Sequence, residues 1–164
     1  MVDKEMHLRV RASRKEIHKV ESMVEKICDD YNVFHSYFGN ILFSVSEAFE
    51  FAVTQKNDEK QFIDIFFESR PDGLVFKVWL GDHFLEIAAL CHQDLEEQIE
   101  NQDLTIQERS FIMIRMLCDE IHFDAQQELM EMVFYISSIN QHLTRERIKL
   151  LDEYFSKINV TKSV

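Results

Sequence analysis

Residues 62–80 read FIDIFFESRPDGLVFKVWL, and this stretch decides the fold class. On both sides of a short polar interruption, apolar residues recur at every second position, which is the period of strands with one buried face. The interruption, RPDG at residues 70–73, has turn chemistry, because proline fixes φ and glycine can adopt a positive φ. The stretch therefore predicts an antiparallel hairpin with strands at 62–69 and 74–80.

The rest of the chain alternates between the same strand period and the helical period of apolar residues. Strands are predicted at 5–12, 120–124 and 128–137, and helices at 13–31, 36–56, 105–118 and from about residue 144. Two helices open with capping boxes, in which a Ser or Thr is followed three residues later by Glu: Ser13 with Glu16, and Thr105 with Glu108. Residues 81–103 are acidic and weakly periodic, so we expect a loop that carries a short helix.

This order of elements predicts an α+β fold. Hairpin-linked strands give a mixed, mostly antiparallel sheet, and the helices cover one of its faces in a two-layer α/β sandwich. We expect one domain at residues 1–140 and a helical extension at 141–164.

Composition narrows the classes of function. Hydrophobic residues make up 46% of the 164 residues, which argues against disorder, and the apolar runs are too short for a membrane span. The net charge of −12 disfavours direct binding to a nucleic-acid backbone. The three cysteines form no CxxC pair and no secretory leader opens the chain, so we expect a soluble cytoplasmic protein.

The second predicted helix contains SVSEAFEFA at residues 44–52. This stretch resembles a motif of the anti-sigma-factor serine kinases of the GHKL ATPase superfamily, in which Ser-Glu-Ala is followed by two variable residues and Asn-Ala. The resemblance implies the histidine-kinase-like (Bergerat) ATPase fold and places Glu47 at the family's general-base position. The family's Asn holds the magnesium ion that bridges the ATP phosphates, and Phe51 replaces it here. A phenyl ring cannot serve there, because magnesium requires oxygen ligands.

Two further family motifs have counterparts here in which the nucleotide-binding residues differ. After the hairpin the family has Asp-x-Gly-x-Gly-Phe, whose Asp reads the adenine amino group. Residues 78–84 are VWLGDHF, so the position of the family's Asp falls on Leu80. Asp82 would contact the adenine only if the motif were aligned two residues further along the chain. At the family's next glycine turn this chain has Glu108 and Ser110. That turn lies beside phosphate in the family, so the Glu108 carboxylate would repel a nucleotide.

The resemblance covers residues 5–137 and implies a regulatory protein that has a degenerate ATP site. Such a pseudokinase would bind a sigma factor or an anti-sigma antagonist without ATP or magnesium, and Glu47 would have no catalytic role. Family members commonly form homodimers, so the resemblance also implies a homodimer. The alternative is an active ATP-dependent serine/threonine kinase with Glu47 as base and Asp82 as adenine reader. Residues 82–103 would be the remnant of the family's ATP lid, which shares a surface with protein partners. Glu47 is equally well explained as a carboxylate on a helix surface.

Cysteine and histidine lie close in sequence at two places, Cys91 with His92 and Cys118 with His122. Neither pair belongs to a known metal-ligand spacing such as HExxH. A free cysteine most often behaves as a small buried apolar residue. We therefore expect no metal site. Separately, we assign Phe51 to the core.

Overall fold

The computed structural model describes residues 5–33, 35–54, 61–136 and 149–157. The main elements, in chain order, are β1 (Glu5–Arg11), α1 (Ile17–Asp30), α2 (His35–Thr54), β2 (Phe62–Arg70), β3 (Gly73–Trp79), α3 (Phe84–Cys91), α4 (Leu95–Glu100), α5 (Ile106–Leu117), β4 (Glu120–Asp124) and β5 (Leu129–Phe134). Short 3-10 helices at Arg14–Glu16 and Gly81–His83 precede α1 and α3. Residues 149–157 are helical, whereas the predicted helix start near 144 and the 140/141 boundary lie outside the described ranges.

The five strands form one sheet in the order β1-β2-β3-β5-β4. All four pairings are antiparallel. The predicted hairpin is present, with Phe67 opposite Phe76 and Arg70 opposite Gly73 across the turn. The predicted α+β class and two-layer sandwich are confirmed.

Helices α1, α2 and α5 cover one face of the sheet, and α2 lies between the other two. The largest side chains of this interface are almost completely buried: Phe49, Phe67, Phe76, Phe111 and Phe134. Phe67 lies against Phe76 with ring centroids 5.3 Å apart, and Phe76 meets Phe134 edge-on at 6.3 Å. Aromatic side chains thus supply the largest core groups between the two layers.

The other face of the sheet carries charged residues at its centre. Lys77 lies 3.3 Å from Glu68 and 3.2 Å from Glu131, so one ammonium group bridges carboxylates on both neighbouring strands. The hydrogen bond from Arg70 lowers the pKa of Glu68, and Lys77 adds to this effect. None of the described helices is long and apolar enough to cross a membrane.

Details of both predicted capping boxes and of the hairpin turn are wrong. At the start of the first helix, the Ser13 hydroxyl accepts a hydrogen bond from the Lys15 amide, but Glu16 does not reach back to complete a capping box. Instead, its carboxylate pairs with Lys19 at 2.7 Å. At the start of α5, the Thr105 hydroxyl accepts from the Glu108 amide at 3.1 Å, but the Glu108 carboxylate makes no return bond to Thr105 among the described residues. In the hairpin, Gly73 does not use a positive φ. It is needed because a β-carbon there would collide with the carbonyl oxygen of Phe134 on β5.

Residues 81–103, which we call the lid segment, contain more regular structure than the single short helix expected. The 3-10 helix Gly81–His83 is followed by α3 and α4. The Gln98 side chain is buried, donates to the Leu90 carbonyl at 2.8 Å and accepts from Arg115 of α5 at 2.6 Å. These polar contacts hold α4 against α5 where the sequence offers little apolar periodicity.

Strand β2 provides a matched test of which face of the sheet is the core. Phe67 is 1% exposed and Phe62, on the opposite face, is 47% exposed beneath the Arg9 guanidinium. We expect Phe67→Ala to lower the free energy of unfolding by about 3–5 kcal/mol, because it leaves a cavity between the layers. Phe62→Ala should cost less than about 1 kcal/mol. Urea denaturation measures both, and equal losses would contradict the layer assignment.

Candidate functional site

The C-terminal half of α2 presents four residues on one side at helical spacing: Glu47, Glu50, Phe51 and Thr54. They line an open depression of about 290 Å³. Its other walls come from distant parts of the chain: Arg14 before α1, and Ile106, Gln107 and Ser110 at the start of α5. Helix α2 therefore carries half of the eight lining residues, and α5 supplies three more.

The depression has an acidic balance. Glu50 pairs with Arg14, whose Nε lies 3.0 Å from a carboxylate oxygen. Both side chains are reached by solvent, so this pair contributes little to stability. Glu47 makes no hydrogen bond or ion pair with any residue that the structure describes. Its carboxylate is left as an unneutralised acceptor on the rim.

Phe51 faces the core although it borders the depression. Only 4% of it is exposed, and it belongs to the cluster between the helices and the sheet. Its carbonyl accepts a hydrogen bond from the Thr54 hydroxyl at 2.9 Å. The position at which the resembling family holds magnesium therefore contributes an apolar ring to the core.

The structure brings together some of the sequence-predicted site residues and separates others. Glu47, Phe51 and Ser110 line the same depression. Asp82 is exposed on the 3-10 helix after β3 and is not part of the lining, and neither is Glu108.

His83, next to Asp82, is a buried residue that the sequence reasoning missed. Its Nε2 lies 3.5 Å from the Thr54 hydroxyl and its Nδ1 lies 3.1 Å from the Glu86 carboxylate. The imidazole thus joins the lid segment to the C-terminal end of α2. The Nε2 distance is at the upper limit for a hydrogen bond. We assign His83 a positioning role, because it fixes where the lid segment leaves the sheet.

Gly81 sets the direction of the same turn. It has φ of +56°, a conformation that side chains with a β-carbon disfavour. A β-carbon there would also lie 2.6 Å from the Trp79 ring. The turn from β3 into the lid segment therefore depends on this glycine.

Other residues of the depression were also missed, for different reasons. Glu50 and Thr54 follow Glu47 at i+3 and i+7, so the helical spacing in the sequence could have identified them. Arg14 and Gln107 reach the site only through the packing of α1 and α5 on α2. No local pattern in the sequence carries that information.

The cysteine and histidine pairs are not arranged as ligand sets. Burial raises the pKa of the Cys118 thiol to about 12, whereas His122 is exposed on β4. A thiol binds metal as the thiolate, so a raised pKa opposes coordination. Across the described ranges, no group of three His, Cys, Asp or Glu side chains could hold a metal ion.

No protein-family model matches this sequence, and no curated protein is significantly similar to it. The resemblance to the anti-sigma-factor kinases therefore rests on the motif residues and their spacing.

Phe51→Asn tests the placement of this ring. It removes a buried phenyl group and leaves an amide in apolar surroundings, so we expect a loss of about 3–5 kcal/mol in the free energy of unfolding. Glu47→Gln, one turn earlier on the same side of α2, should change it by less than about 0.5 kcal/mol. Calorimetry of both variants measures the difference, and an asparagine variant as stable as the natural chain would contradict the burial.

Proposed function

We propose that this chain is an anti-sigma-like regulatory protein of the cytoplasm that sequesters a protein partner without using nucleotide. The burial of Phe51 carries the proposal. In the family that the sequence resembles, phosphoryl transfer depends on magnesium to neutralise the phosphates. The chain offers a core phenyl ring where that family offers its metal-binding side chain. The fold would then serve to present a protein-binding surface and not to catalyse phosphoryl transfer.

The charge and size of the depression agree with this proposal. Glu47 lies on its rim without a cationic partner among the described residues, and the nearby Arg14 is engaged by Glu50. Among the described residues that line the depression, no basic side chain is left unpaired to neutralise a triphosphate. A volume of about 290 Å³ is also at the lower limit of small-molecule pockets. ATP and magnesium are therefore not expected as cofactors.

The lid segment offers a surface suited to a protein. Leu85 on α3 is 79% exposed and Ile99 on α4 is 53% exposed. Acidic side chains surround them in sequence, among them Glu86 on α3 and Glu96 on α4. Apolar surface rimmed by polar residues is typical of protein-binding sites, and Leu85 and Ile99 are the exposed large apolar residues of the lid segment. The acidic charge suits a partner that presents a basic surface, and it accelerates the encounter.

The lid segment is also held in a fixed arrangement, which favours binding. Gln98 receives a hydrogen bond from Arg115 of α5 and donates to the carbonyl of Leu90. Arg115 donates a second hydrogen bond to the Gln93 carbonyl at 2.9 Å. A surface that is already ordered loses less conformational entropy when a partner binds.

The alternative function is an ATP-dependent serine/threonine kinase. One observation favours it: Glu47 and Ser110, from two separate motifs of the resemblance, line one depression. In that case ATP and magnesium would be cofactors, Glu47 the base and Asp82 the adenine reader. Asp82 lies outside the lining of the depression, which weighs against this function.

Binding to purified sigma factors of the same cell tests the proposal. We expect a complex in buffer without nucleotide, with a dissociation constant that magnesium-ATP leaves unchanged. Leu85→Glu combined with Ile99→Glu should raise that constant at least tenfold, because the substitutions add charge where apolar area is buried. Isothermal titration calorimetry measures the affinity.

Ser22→Glu on the exposed side of α1 is the matched control, since α1 lies across α2 from α5, on which the lid segment packs. It should bind as the natural chain does. A complex that forms only with magnesium-ATP, or transfer of phosphate to the bound protein, would support the kinase and contradict the proposal. Equal affinity of the lid variant and the control would place the binding surface elsewhere.

A further inference from the structure

The helix at residues 149–157, which we call the tail helix, exposes an apolar face. All nine of its residues are exposed. Its four large apolar side chains are between 52% and 63% accessible: Leu150, Leu151, Tyr154 and Phe155. At positions i, i+1, i+4 and i+5 they lie on one side of a helix. Tyr154 and Phe155 also meet edge-on at 5.8 Å. An amphipathic helix gains most of its stability by packing its apolar face, so we expect the exposed apolar face of the tail helix to have a binding partner.

Helix α5 carries a second exposed apolar surface. Ile106, Met113 and Met116, at positions i, i+7 and i+10, lie along one side of the helix and form what we call the α5 stripe. They are 83%, 41% and 50% exposed. The opposite side of α5, with Phe111 and Ile114, packs in the core. Methionine side chains adapt to the shape of a partner, which suits the stripe to receive another helix.

The charges beside the two surfaces are complementary. Arg109 lies within the α5 stripe, one turn after Ile106, and forms no ion pair in the part of the chain that the structure describes. Glu153 lies one turn after Leu150 at the edge of the apolar face of the tail helix, and Lys157 follows on the same edge. Helix-on-helix packing would bring this carboxylate to the edge of the α5 stripe. An ion pair between Arg109 and Glu153 would determine the orientation of the tail helix more than it would raise the affinity of the contact.

We propose that the tail helix of one copy of this chain packs on the α5 stripe of a second copy, in a reciprocal exchange about a two-fold axis. Within one chain the apolar face of the tail helix and the α5 stripe are both exposed to solvent. A stable interface buries about 1,600 Å² in total, which is more than one nine-residue helix is expected to cover. Two-fold symmetry forms the contact twice and so doubles the buried area.

The length of the chain permits the exchange. Twelve residues, 137–148, separate Ile136 from the tail helix. A chain of that length spans at most about 40 Å. This is long enough for the tail helix to cross to a neighbouring molecule, and it would also allow contact within one chain. The experiment must therefore distinguish these two arrangements.

Light scattering and analytical ultracentrifugation of the full chain measure the oligomeric state. We expect a dimer at micromolar concentration, and Leu151→Asp should raise its dissociation constant at least tenfold. Ser156→Asp introduces the same charge on the opposite side of the tail helix and should leave the dimer intact. Arg109→Glu should weaken the dimer, and Glu153→Arg combined with it should restore the affinity. A monomeric natural chain, or equal effects of Leu151→Asp and Ser156→Asp, would overturn the proposal.

Disulfide trapping identifies which tail helix occupies the stripe. Cys28 and Cys118 are buried, so Cys91→Ser removes the remaining accessible thiol. In that background we expect Met113→Cys combined with Leu151→Cys to form covalent dimers under mild oxidation. A control with Ala125→Cys in place of Met113→Cys should not. Disulfide-linked monomers would show contact within one chain and overturn the proposal. Absence of any link, together with sedimentation on anionic lipid vesicles, would assign the apolar face to a membrane surface instead.

Discussion

The packing of α2 is the constraint on which the rest of this structure depends. One side of the helix lies against the centre of the sheet, and its flanks contact α1 and α5. The residues on the inner side have no measurable exposure: Ile41, Val45, Ala48 and Phe49. Small residues such as Ala48 and Ala52 allow the helix to approach the sheet closely. Because α2 cannot shift without disturbing both layers, the side chains along its edge are held in fixed positions.

The candidate site lies on that edge, so the same helix supplies both core side chains and site residues. Glu47 points to the depression, whereas Phe51, one turn later, is buried with the core. A residue that binds magnesium at this point would need an oxygen atom facing the depression. The phenyl ring instead adds apolar burial next to the sheet. On our proposal, this exchange of a metal ligand for core packing turned a nucleotide site into a structural part of a protein-binding scaffold.

The sequence predicts the fold well, because the fold is encoded in local periods. The hairpin of β2 and β3 follows from alternation around a Pro-Asp turn, and the Thr105 hydroxyl caps α5 as predicted, although the Glu108 carboxylate does not complete the box. Details that depend on distant contacts were not predictable. The need for Gly73 comes from the neighbouring strand β5, and the order within the lid segment comes from Arg115.

The candidate site was predictable only in part, for the same reason. Glu47, Phe51 and Ser110 belong to sequence motifs, and the structure places them around one depression. Arg14 and His83 reach this region through tertiary packing, without a local signal. Motif spacing thus identifies residues on a shared element, whereas the charge balance of a site depends on groups that only the fold brings together.

The central claim is that the scaffold persists without a working nucleotide site, and the melting temperature in magnesium-ATP tests it most directly. A ligand at a hundred times its dissociation constant stabilises a protein by about 2.7 kcal/mol. In a domain of this size each kcal/mol raises the melting temperature by about 2–4 °C. We predict no change at millimolar magnesium-ATP, because Phe51 offers no metal ligand and the described lining of the depression offers the phosphates no unpaired basic side chain. A magnesium-dependent rise that Asp82→Ala abolishes would contradict the account.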